Sequence, residues 1–150
     1  MQFGLERLAE EASASGVGGL IVPDLPFEEA EPLKQALASK DVALIPLVGP
    51  NTSLERMQLY AQGAQGYAYV VSVLGVTGVR EGLPKEVQAT IARARQVFQV
   101  PLALGFGLNN PEQLANLSQE ARPDAVVFGS ALLKHIEAGG AGHSFLAKWL

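Results

Sequence analysis

The chain has 150 residues, 48% of them hydrophobic, with 11 basic against 15 acidic side chains for a net charge of −4. That length suits one domain with a buried core, and an acidic balance with no basic stripe excludes nucleic acid as a partner. No apolar run approaches the ~20 residues of a membrane span, and the absence of cysteine removes disulfides, thiol nucleophiles and cysteine-held metals from consideration.

In chain order, Leu5, Leu8, Ala9 and Ala12 recur on one helical face over residues 5–15, and Gly16 supplies the stop. Gly19-Leu20-Ile21-Val22 reads as a buried strand ended by Pro23-Asp24-Leu25-Pro26, where two prolines forbid further helix or ladder bonds. Helical signal resumes from Glu28 to Ser39, with Pro32 marking either a first-turn proline or a division into two short pieces. A second strand, Ala43 to Val48, contains Pro46 and runs into Gly49-Pro50-Asn51. Thr52 and Glu55 then form the capping-box pattern of a helix through Gln62. Tyr67 to Ser72 is a third strand, rich in β-branched and aromatic residues, and the glycine-rich stretch Val73 to Gly82 is longer than an ordinary strand-to-helix joint.

Val87, Ile91, Ala94 and Phe98 define the apolar face of the next helix, which leads to Pro101-Leu102-Ala103-Leu104-Gly105-Phe106-Gly107-Leu108. Asn110 before Pro111 and Glu112 marks a helix start. Pro123-Asp124 introduces a fifth strand that runs into Val126-Val127-Phe128-Gly129-Ser130-Ala131, and Phe145 to Leu150 reads as a final helix without a cap. His135 and His143 are separated by a glycine-rich joint and have no carboxylate cluster beside them, so no metal site is expected. The first residues lack the apolar core of a secretory signal, which leaves the cytoplasm as the expected compartment.

The strand starts at 19, 43, 67, 101 and 125 lie 24, 24, 34 and 24 residues apart, and the larger step contains the long loop. A strand, loop and helix repeated at that interval is the period of a (β/α)8 barrel. An open doubly wound sheet would carry its glycine signature after the first strand, whereas here it follows the last two. Five parallel strands are predicted where a barrel needs eight. The expected fold class is therefore α/β of the TIM-barrel type, with residues 1–150 as the C-terminal portion of a single barrel domain whose earlier strands are absent from this sequence.

The two runs that end in glycine organise this reading. A buried parallel strand is apolar almost throughout, and glycine at its carboxyl end lets backbone approach a ligand. Gly105 and Gly107 leave unshielded N–H groups, and Gly129 with Ser130 adds two more at a helix start. Such amides carry roughly half a unit of positive charge, enough to hold a phosphate without lysine or arginine. The end of the last two strands is also where (β/α)8 barrels habitually bind phosphate.

Taken in order, Gly19 to Pro26, Tyr67 to Ser72 continuing to Gly75-Val76-Thr77-Gly78, Gly105-Phe106-Gly107 and Val127 to Ala131 resemble the alpha chain of tryptophan synthase over nearly the whole sequence. The resemblance implies cleavage of indole-3-glycerol phosphate to indole and glyceraldehyde 3-phosphate, with no cofactor, and a beta-chain partner that receives the indole. It assigns phosphate contacts to Gly78, Gly107, Gly129 and Ser130 with Phe106 beside them, a loop closing over substrate to Thr77, and an indole-pocket wall to Tyr69. The family's catalytic glutamate and aspartate precede everything in this sequence, so no catalytic residue is assigned here.

Plainer readings stand beside these. The glycines also suit tight helix-on-strand packing, and Tyr69 suits a core tyrosine with a satisfied hydroxyl. Asp24 reads better as a turn former or helix cap than as a catalyst, and Glu28, Glu29, Glu31, Lys85 and Glu86 as solvated first-turn charges. Arg80 reads as a surface arginine rather than a phosphate ligand. Other phosphosugar barrels, such as isomerases of related pathways, would not be expected to carry the Gly75 to Gly78 run. A five-strand sheet without neighbours is also expected to self-associate through its open edges.

Overall fold

A computed structural model describes residues 3–72, 82–105, 108 and 110–149. Its strands are β1 (Gly19–Leu20), β2 (Ala43–Leu44), β3 (Leu47–Val48), β4 (Ala68–Val71), β5 (Leu102–Gly105) and β6 (Ala125–Val127). The helices are α1 (Leu5–Ala14), α2 (Glu31–Ala38), α3 (Leu54–Ala61), α4 (Lys85–Val97), α5 (Ser130–Glu137) and α6 (Gly142–Leu146). Every strand pairing is parallel, β1 with β2 and then β3, β4, β5 and β6 in sequence order.

The second expected strand is present in two pieces, and Pro46 is the reason. Ile45 N–H donates to the Leu20 carbonyl on one side (2.9 Å), and the Pro46 carbonyl accepts from Tyr69 N–H on the other (2.8 Å). Lacking an N–H, Pro46 cannot complete the ladder, so pairing with β1 stops and pairing with β4 begins across it.

Two apolar layers sit on the helix side of the sheet. Ala68, Val70, Leu102 and Leu104 pack against Met57 of α3 and against Val87, Ile91, Ala94 and Phe98, the stripe that the sequence placed on the helix before β5. Ala9 and Ala12 of α1 meet Leu33, Leu37 and Val42 in a smaller cluster beside β1. Ile91, with no exposed surface, is a core side chain whose truncation to alanine costs about 2–5 kcal/mol. Alternate strand residues Ala43, Ile45 and Tyr69 form a third cluster, with Leu47, Tyr67 and Val71 beside it, on the face away from the helices.

Helix boundaries follow local chemistry. Gly16 (φ 73°) closes α1 as its N–H and that of Val17 turn back to Ser13 and Ala12 carbonyls, both at 2.9 Å. Both readings of Pro32 hold, because a 3-10 turn over Phe27–Glu29 precedes α2 and the proline sits in its first turn. The cap of α3 is Ser53 rather than Thr52: Ser53 Oγ accepts from Arg56 N–H (3.2 Å), while Thr52 Oγ1 is engaged by Gly49 N–H (2.9 Å).

After Asn110 the expected helix gives way to two 3-10 turns, Pro111–Leu114 and Gln119–Ala121. Asn110 does form a capping box with Gln113. However, Ser118 caps again eight residues on, so its side chain competes with continuation of the first helix. The last helix is Gly142–Leu146, not 145–150; Lys148 and Trp149 N–H groups close turns onto Phe145 and Leu146 carbonyls. Asp124 sets the start of β5 and β6. Its Oδ2 accepts from Leu102 N–H (2.8 Å), its own N–H donates to the Leu102 carbonyl (2.9 Å), and Arg95 lies at 3.3 Å. No helix among the described residues is long and apolar enough to cross a membrane.

Candidate functional site

The register brings three strand ends to one level. Val71 pairs with Gly105, and Gly105 pairs with Val127, so the chain leaves β4, β5 and β6 side by side at their carboxyl ends. Ser72, Phe128 and Gly129 follow immediately.

At the centre is Gly105. Its carbonyl accepts two hydrogen bonds from Ser72, one from N–H (3.1 Å) and one from Oγ–H (2.8 Å), and Ser72 is fully buried. Tyr69, also buried, lies against the Gly105 Cα. A Cβ there would stand 1.8 Å from Tyr69 Oη and 2.2 Å from Cζ. Glycine at 105 is thus a seat for the tyrosine ring, a role the sequence did not reveal because it depends on register between two strands. Burial raises the pKa of the Tyr69 hydroxyl above its ordinary 10.0, with Tyr67 adding to the effect. The hydroxyl therefore stays protonated, and able to donate, throughout the neutral range.

Gly129 and Ser130 open α5 as expected. Among the described residues no side chain caps this helix, and no atom beyond the adjoining residues lies within 4 Å of where a Gly129 Cβ would be. Both residues are exposed. The first-turn N–H groups of a helix have no intrahelical partner. Here the first turn holds no acidic residue, and Lys134 and His135 occupy the last, a distribution that leaves the positive pole unneutralised. Among the described residues, Gly129 is not packed against a neighbour beyond its own chain neighbours.

Of the remaining residues singled out by sequence, Thr77, Gly78, Arg80, Phe106 and Gly107 lie outside the described residues. Asp24 occupies a turn after β1, where Leu25 N–H meets the Val22 carbonyl (3.3 Å), as the turn reading required. A cleft of about 190 Å³ opens elsewhere, on the helix side between α2 and α3, with Pro26, Lys34, Pro46 and Tyr60 among its walls. It includes neither Tyr69 nor the start of α5.

The contact between Tyr69 and Gly105 is directly testable. Gly105→Ala should cost about 1–3 kcal/mol in denaturant unfolding, the range for overpacking a well-filled position. Adding Tyr69→Ala should remove most of that increment. A Gly105→Ala chain as stable as the original would show that the ring does not rest there.

The comparisons agree with this architecture. The family model for "Tryptophan synthase alpha chain" matches residues 1–148. The tryptophan synthase alpha chain of Desulfovibrio desulfuricans is 58% identical over 149 residues, covering 99% of this chain and 58% of the relative. That of Nitratidesulfovibrio vulgaris is 56% identical over a similar span. Among solved structures, one of the tryptophan synthase α2β2 complex from Pyrococcus furiosus superposes with a TM-score of 0.82 at 34% identity, over 97% of this chain and 59% of that one. The alpha subunit of Campylobacter jejuni gives 0.75 at 27% identity. The sequence thus spans a little under three fifths of the relatives it matches, and its parallel strands with outer helices are part of a (β/α)8 barrel. The chain belongs to the tryptophan synthase alpha chain family.

Proposed function

We propose that the protein carrying this sequence is a cytoplasmic lyase of tryptophan biosynthesis that cleaves indole-3-glycerol phosphate to indole and glyceraldehyde 3-phosphate. Residues 1–150 are the C-terminal portion of its single barrel domain, and they supply the phosphate-binding side. The observation that carries this reading is the open start of α5 beside the end of β5, with Gly129 and Ser130 exposed and uncapped.

On this reading the phosphoryl group sits against the N–H groups of Gly129 and Ser130, with those of Gly78 and Gly107 completing the cup and Phe106 beside it. Tyr69 lines the indole side, its protonated hydroxyl held low against Gly105, and Thr77 belongs to the loop that closes over the substrate. Breaking the carbon–carbon bond to indole C3 needs an acid to protonate that carbon and a base to take the glycerol hydroxyl proton, each contributing about 10²- to 10⁴-fold. The family's two carboxylates precede these residues in sequence, so this portion binds and orients while the acid–base chemistry comes from upstream. The partner that takes up the indole is a tryptophan synthase beta chain, a reading supported by family membership and by the α2β2 complex of the Pyrococcus furiosus relative.

Indole release is the test. The 150-residue chain incubated with indole-3-glycerol phosphate should yield no indole above background, and a chain extended by upstream strands bearing the acidic pair should yield it at an enzymatic rate. Turnover by the 150-residue form would contradict the division of labour proposed here.

The 150-residue chain also leaves Ile21 (38%), Val127 (39%), Leu133 (61%) and Ile136 (49%) exposed near its first and last strands. We infer that in isolation it self-associates through those faces. Size-exclusion chromatography should show a dimer or larger species that dissociates on dilution. Elution as a monomer at every concentration would refute this.

A further inference from the structure

None of the eight residues of α5 is buried, and Leu133 and Ile136 stand exposed on it, so core packing does not fix where this helix points. What holds it is aromatic. Phe128, the residue between β6 and Gly129, stacks on Trp149 (centroids 5.0 Å, 29°) and meets the edge of Phe145 (4.8 Å, 67°). Phe145 is itself buried at 5% exposure.

The other end of α5 is tied to the same cluster. His135 lies 5.6 Å from the Phe145 ring, and its Nε2 is 2.9 Å from Ser144 Oγ. Ser144 uses its one proton on the Ala141 carbonyl (2.7 Å), which makes His135 Nε2 the donor in that contact. Gly140 makes room for the imidazole, since a Cβ there would fall 2.2 Å from Nε2. One ring cluster therefore grips α5 immediately before its first turn and again near its last.

We propose that Phe128, Phe145 and Trp149 are positioning residues for the phosphate site, setting the direction in which the Gly129 and Ser130 amides point. This rests on the phosphate reading above. The rings touch no substrate. They act by fixing the one peptide segment that joins β6 to α5. Because amide donors lose affinity steeply when turned away from the ligand, loosening the cluster weakens phosphate binding beyond any loss of stability. Trp149 is the single tryptophan in the chain, so its emission reports directly on this coupling.

The experiment titrates inorganic phosphate into the 150-residue chain, following Trp149 emission and binding heat in parallel at a temperature where circular dichroism shows every variant folded. Emission should change saturably with the calorimetric Kd. Trp149→Ala and Phe145→Leu should each weaken that Kd about tenfold, while Trp149→Phe, which keeps a ring against Phe128, should stay within about twofold. Trp149 is only partly buried, at the margin of the main core cluster, so its removal is the milder change if Phe145→Leu does not fold. Unchanged Kd in Trp149→Ala, with silent emission through saturation, would overturn the proposal and leave the phosphate reading standing. Absence of any phosphate heat in the unaltered chain would instead remove the phosphate reading, and this inference with it.

Discussion

The backbone of Gly105 is where the structure's constraints meet. Its Cα takes the Tyr69 ring on one face, its carbonyl takes both donors of Ser72, and its register partners are the last residues of β4 and β6. A side chain at this position would displace the tyrosine, and a rotated carbonyl would break both hydrogen bonds that tie the buried Ser72 to the end of β5. The end of β5 is thereby fixed in both position and orientation. The alignment of three strand ends, and with it the location of any ligand at that end, follows from this one residue.

Much of the architecture was legible because it depends on local periodicity. Five strand positions, the α4 stripe through Val87, Ile91 and Ala94, the Gly16 stop and the α5 start at Gly129 and Ser130 all follow from patterns within a dozen residues. Sequence pattern and structure part where two local signals compete. Thr52 and Ser53 are both able to cap, and the second wins because the first is engaged by Gly49. Asn110 and Ser118 both cap, and neither segment lengthens into an α-helix. Pro46 was visible as an anomaly within a strand, but its consequence, a change of pairing partner, depends on where β1 and β4 lie. The seat for Tyr69 and the contacts of Phe128 were illegible for a related reason: Tyr69 and Gly105 are 36 residues apart, Phe128 is 17 from Phe145 and 21 from Trp149, and nothing in the intervening sequence signals the contact.

The same division runs through the proposed function. Binding a phosphate needs only backbone donors at a strand end and a helix start, which glycine supplies without any charged side chain. Cleaving a carbon–carbon bond needs groups that take and give protons, a separate requirement that backbone amides do not meet. The exposed start of α5, with its acidic-free first turn and basic last turn, keeps its polarity whether or not reacting groups are present.

The central claim is that bare peptide amides at the ends of β5 and β6 hold a phosphoryl group. Amide proton–nitrogen correlation spectra recorded through a titration with inorganic phosphate test it most directly. The account predicts that the largest saturable shifts fall on Gly107, Gly129 and Ser130. Shifts centred instead on the cleft between α2 and α3, at Lys34 and Gly63, with Gly129 and Ser130 unmoved, would contradict it.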